Sequence, residues 1–103
     1  MSTDEPPLKY IFSPAILQKL DEKHGVSLDE VYECFENNDG QTLIEEREQH
    51  KTVPETEWFI SQTRRGRTLK VCFVFVEEMN TVFVKTAYDA NDVEIRLFER
   101  KTS

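Results

Sequence analysis

Residues 68–76, Thr-Leu-Lys-Val-Cys-Phe-Val-Phe-Val, constrain this chain more than any other segment. Leu69, Val71, Phe73 and Phe75 alternate with the period of two that marks a strand, yet Cys72, Val74 and Val76 on the other side are apolar as well. A strand that needs cover on both faces belongs inside a sheet, with neighbours at its edges and other elements packed over it. Further strands are predicted at 42–44, 57–63 and 81–87. Arg64-Arg65-Gly66-Arg67 and Glu78-Met79-Asn80 are short enough to link neighbours as hairpins.

The helical signals lie on either side of these strands. Ser13 followed by Pro14 reads as an N-cap and first helical residue, because proline has no amide hydrogen to leave unbonded there. Ile16, Leu17 and Leu20 repeat at helical spacing up to Gly25, a helix stop. Ser27 with Glu30 three residues on forms a capping box for a second helix, with Val31, Tyr32 and Phe35 on one face. Asn91 with Glu94 is predicted to cap a third. Residues 8–12 suit a short edge strand. The expected fold is α+β: an N-terminal αα-hairpin packed on an antiparallel sheet of about four strands, with a short C-terminal helix. Leu17, Leu20, Val31, Phe35, Phe59, Val71, Phe73 and Val84 are expected to share its core.

A chain of 103 residues closes one core but not two, so residues 8–103 read as a single domain and 1–7 as a flexible arm. Cys34 and Cys72 each sit in an apolar run and read as buried free thiols. No apolar run approaches the ~20 residues of a membrane span, and the expected location is the cytoplasm. The net charge is −7, unevenly spread: residues 1–60 hold five Lys/Arg against fourteen Asp/Glu, residues 61–103 eight against six. General affinity for nucleic-acid backbone is disfavoured, but a local basic site is compatible with that distribution.

No phosphate-cradling glycine loop, nucleophile elbow or zinc-spaced histidine pair is present, and neither metal nor cofactor is expected. The sharpest chemical feature is the arginine hairpin Arg64-Arg65-Gly66-Arg67, whose guanidiniums would project from one sheet end and could bind phosphate or stabilise a phosphorane. His50, in a polar connection, titrates near neutrality and suits acid–base work. His24, at a helix end, reads as a favourable charge on the helix dipole. Lys85 and Tyr88, at the end of the last strand, could present an ammonium and a hydroxyl side by side.

Taken in order, Phe12-Ser13-Pro14, Lys23-His24-Gly25-Val26-Ser27 with Glu30, Glu57-Trp58-Phe59-Ile60, Arg65-Gly66-Arg67 and the apolar run 69–76 resemble the BrnT-type toxin family, ribonucleases of bacterial toxin–antitoxin pairs. The resemblance spans roughly residues 10–90 and implies a RelE-like fold that cuts RNA without a metal. It implies catalytic roles for His50, Glu57, Arg65 and Arg67 and an RNA-binding role for Arg64, to which Lys85 and Tyr88 are added as RNA-binding candidates from the residue reading alone. The implied partners are an RNA substrate and a small antitoxin. Where that family ends in an arginine-rich helix, this chain reads Asp89-Ala90-Asn91-Asp92-Val93-Glu94-Ile95-Arg96, so an attenuated relative is expected. A competing expectation is a non-catalytic module whose acidic first half binds a basic protein. Short chains of similar sequence also carry the name ADP-ribosyl-(dinitrogen reductase) hydrolase. Enzymes resembling that name are large helical proteins with a carboxylate-held magnesium pair, an architecture that a strand-rich chain of this length cannot build.

Overall fold

The computed structural model describes residues 8–47 and 52–103. The doubly apolar run is strand β4 (Thr68–Val76), and it is central as expected. Antiparallel β3 (Thr56–Gln62) lies on one side and antiparallel β5 (Thr81–Asp89) on the other. Strand β2 (Leu43–Ile44) extends the sheet beyond β3, and β1 (Lys9–Ile11) extends it beyond β5, giving the order β1-β5-β4-β3-β2.

Two expectations need correction here. Among the described residues the sheet has five strands, and it is mixed because β1 runs parallel to β5 with Lys9 opposite Thr81. Pairing direction depends on which distant strand a segment meets, and no local pattern carries that information. The αα-hairpin is also only roughly right. Helix α1 (Pro14–Lys19) lies against β5, whereas α2 (Leu28–Asn37) lies against β3 and β4, so each helix uses the sheet as its principal support.

The caps form as the sequence requires. Ser13 Oγ accepts from Ile16 N, and Ser27 and Glu30 complete their reciprocal capping box. Beyond Lys19 the first helix widens into a π turn, Leu20–His24, closed by Gly25 at φ 61°. Glycine fits there because a side chain in the left-handed region would be strained. Helix α3 (Asp92–Thr102) begins at the predicted Asn91 cap.

One face of the sheet carries Phe59, Leu69, Val71, Phe73, Val82, Val84 and Ala87, which Leu20, Val26, Val31 and Cys34 cover from the helical side. Phe35 packs on this core from its edge. Leu17, expected inside, is 40% exposed. The short α1 and its π turn direct Ile16 and Leu20 inward and leave Leu17 on the outer side. Both cysteines are buried free thiols. The other face of the sheet bears Trp58, Lys70, Cys72 and Tyr88, and α3 covers only part of it, with Phe98 5.8 Å from Trp58. Among the described residues no helix is long and apolar enough to cross a membrane.

Candidate nucleic-acid interface

The uncovered part of that second face is a groove lined by Lys19, Lys23, His24, Arg47, Lys85 and Tyr88, with Thr52, Thr56, Cys72 and Thr86 at its floor and sides. Among the described residues Glu45 is the one carboxylate in its lining. In a chain of net charge −7 this is a marked local excess of cations.

Three separate parts of the chain build it. Lys19 and Lys23, four residues apart, come from the end of α1 and the π turn, the region where the widened helix presents its polar side beside β5. Lys85 comes from an irregularity in β5. Phe73 pairs with Val84 and Cys72 with Thr86, so Lys85 is the extra residue of a β-bulge. A bulge re-aims a side chain that regular pairing would direct elsewhere. Arg47 comes from the chain after β2 and is held by Glu45: its backbone N–H donates to Oε1 at 3.0 Å, Nε to Oε1 at 3.1 Å and Nη2 to Oε2 at 2.8 Å. Those hydrogen bonds bring the Glu45 carboxyl down to about 2, against the opposing effect of burial. No described residue forms a salt bridge with Lys19, Lys23 or Lys85.

His24 sits where the lysines meet the strand. Its ring lies 5.5 Å from that of Tyr88. Desolvation and the neighbouring Lys23 and Lys19 lower its pKa, against a smaller opposing pull from Asp89. The imidazole is therefore biased toward its neutral form, opposite to the cationic role expected of a histidine at a helix end. Tyr88 donates its hydroxyl to Glu94 Oε2 at 3.0 Å, and Lys70 Nζ donates to the same oxygen at 3.1 Å. Burial raises the Tyr88 pKa, so the phenol stays protonated. Lys70, almost fully buried, remains charged because the Glu94 carboxylate offsets its desolvation, and its ammonium rests 4.4 Å above the Trp58 ring. Burial pushes Cys72 up to about 11, which leaves a protonated thiol and no nucleophile at neutral pH.

The residues singled out from sequence are not brought to one place. Lys85 and Tyr88 line the groove. Glu57, in register with Phe73, faces the helix-covered side and accepts from Thr42 Oγ1 at 2.6 Å. Arg67 is bound on all sides: Nε and Nη2 donate to the Asp89 carboxylate at 2.8 and 3.0 Å, Nη1 to Glu30 at 3.1 Å and to Gly25 O at 2.9 Å, and Nη2 to His24 O at 3.2 Å. It fastens the start of α2 and the π-turn exit to the β3–β4 hairpin. Arg64 donates its backbone N–H to Glu33 and its guanidinium to Glu36, both on α2. Arg65 is exposed in the turn. His50 lies outside the described residues.

Sequence reading passed over Lys19, Lys23 and Arg47, and gave His24 a different role. The spacing of Lys19 and Lys23 beside His24 was the one available signal. Nothing local linked it to Lys85, about sixty residues on. Among the described residues no group of three or more His, Cys, Asp or Glu is placed to hold a metal ion. No protein-family model matches the chain, and no curated protein matches it closely enough to count as a relative.

Proposed function

We propose that this protein is a toxin-like, metal-independent endoribonuclease, or an attenuated relative of one, whose RNA strand lies in the groove between α1 and the open face of the sheet. The observation that carries the reading is the convergence of Lys19, Lys23, Arg47 and Lys85 around a histidine biased toward neutrality, where Glu45, the single carboxylate among the described lining residues, is already neutralised by Arg47. Cations from separate elements match a phosphate backbone, which presents charge at regular intervals.

In this reading the lysines hold the scissile phosphate and His24 accepts the proton of the ribose 2′-hydroxyl. The 2′-oxygen attacks phosphorus, and the ammonium groups stabilise the charge that gathers on the phosphorane oxygens. The bond to the 5′-oxygen breaks, that oxygen takes a proton from a lysine ammonium, and a 2′,3′-cyclic phosphate remains. Tyr88, fixed by Glu94, supports the His24 ring from one side.

The test is cleavage of a single-stranded RNA with EDTA present, followed by end-group analysis for the cyclic phosphate. A base must be neutral to act, and the His24 pKa lies below the usual 6.5. The rate should therefore rise with pH with its midpoint below 6.5, and His24→Ala should abolish that rise. A rise that survives His24→Ala but vanishes in His50→Ala would transfer the role to His50. A second reading, a module binding a basic protein, is favoured by the acid-rich residues 1–60. It gains if no RNA is bound at any salt concentration and a basic partner is captured instead.

A further inference from the structure

Next to the cationic groove, between β2 and α3, lies a second cavity of about 590 Å³. Unlike the lysines of the groove, its charged groups are paired with one another: Lys70 with Glu94, Arg47 with Glu45 and Lys101 with Glu46. Leu43 and Ile44 form one side from β2, Leu97 comes from α3, and Trp58 lies at the back. The polar groups at its base, Lys70 and Glu94, are already paired with each other. Glu45 and Arg47 line both spaces, so the clamped guanidinium stands on the ridge between a cavity whose charges are paired and a row of lysines with no ion-pair partner among the described residues.

A concave site of this size, with apolar side chains on its walls and polar groups fixed by pairing, can hold a small ligand. The neighbouring groove narrows the choice of ligand. An occupant that reached over the ridge would have one anionic part among Lys19, Lys23 and Lys85 and one flat apolar part against Leu43 and Leu97. A nucleotide has that division. The cavity lining includes carboxylates and ammonium groups together, which suits an aromatic ring with both donors and acceptors at its edge better than a plain hydrocarbon.

We infer that this cavity is a nucleobase subsite, receiving an unstacked base of the strand whose phosphates occupy the groove. The inference rests on the proposed reading of the groove as an RNA site. It adds that binding depends on bases as well as on phosphate charge. Single-stranded RNA has bases free to turn out of the stack, whereas a duplex would have to break a pair to fill the cavity.

Trp58 is the only tryptophan in the chain, so its emission reports on this cavity directly. The experiment compares a single-stranded oligoribonucleotide with inorganic polyphosphate of equal charge, following affinity and Trp58 emission, in the wild type and in Leu97→Tyr, whose larger ring would fill the cavity. The expected result is RNA binding about tenfold tighter than polyphosphate, with Trp58 emission changed by RNA alone. Leu97→Tyr should then bind RNA only as tightly as polyphosphate, with polyphosphate affinity unchanged. Equal affinities for the two polymers with unchanged emission would overturn the base subsite while leaving the cationic groove intact. Failure of both polymers to bind would remove the groove reading and the subsite with it. If Leu97→Tyr does not fold, the wild-type comparison of affinity and emission decides the matter alone.

Discussion

The arginine hairpin and the lysine groove each hold several cations, and they use their charge in opposite ways. Arg67 is enclosed by two carboxylates and two backbone carbonyls, and Arg64 is tied to two glutamates of α2. Lys19, Lys23 and Lys85 have no carboxylate among the described residues within salt-bridge distance. Of the charge adjacent in sequence the fold pairs Arg64 and Arg67, whereas charge that is scattered in sequence is gathered and, among the described residues, left unpaired. An anion meets the field of unpaired groups, so the density of arginines along a chain is a poor guide to where it binds.

The largest effect that separates the two regions should come from the groove. Replacing Lys19, Lys23 and Lys85 together by glutamine should weaken RNA binding on the order of a hundredfold at low salt. It should also reduce the dependence of log K on log salt by about 2, near 0.7 for each lost contact to a single strand. Thermal stability should hardly change, because these side chains have no described ion-pair partner to lose. Fluorescence anisotropy across a salt series measures both quantities. A triple variant that retains its affinity and slope would move the phosphate path away from this groove.

Arg67→Ala should show the reverse pattern. It removes hydrogen bonds to two carboxylates and leaves the carbonyls of His24 and Gly25 without their donor. A cost of about 2 kcal/mol is expected from charge-assisted bonds that are partly shielded from solvent. In a domain of this size that lowers the melting temperature by roughly 10 °C. RNA affinity measured well below that temperature should stay within about twofold. A large loss of affinity with intact stability would mean that Arg67 contacts phosphate despite its pairing.

The same contrast explains what could be read from the sequence. The caps at Ser13, Ser27 and Asn91 were legible because each is completed within four residues. The central position of β4 was legible because an apolar residue on each face states how it must be covered. The parallel pairing of β1, the π turn and the bulge at Lys85 depend on how distant segments meet, and a local pattern cannot encode them. Arg67 was misleading for the same reason: its partners Glu30 and Asp89 are far away in sequence. The groove needed all of these events together, since the π turn positions Lys23 and His24 and the bulge delivers Lys85.

The smallest expected effect concerns Arg64, and it sets the scale for the others. Its guanidinium lies 3.1 Å from Glu36, but the two side chains are 70% and 63% exposed. Exposed pairs of this kind gain little, because water already solvates both charges and holding two long side chains in one arrangement costs entropy. The Arg64 backbone N–H, which donates to Glu33, is unaffected by a change of side chain. Arg64→Ala should therefore alter stability by less than ~0.5 kcal/mol. If the hairpin lies outside the phosphate path, RNA affinity should fall less than twofold, with the salt slope unchanged. Arg64→Ala with Arg65→Ala tests the whole exposed part of the hairpin in one step. Should that pair cost as much affinity as the triple lysine variant, the hairpin and the groove would form one continuous RNA track, and the division between structural arginines and functional lysines would hold for Arg67 alone.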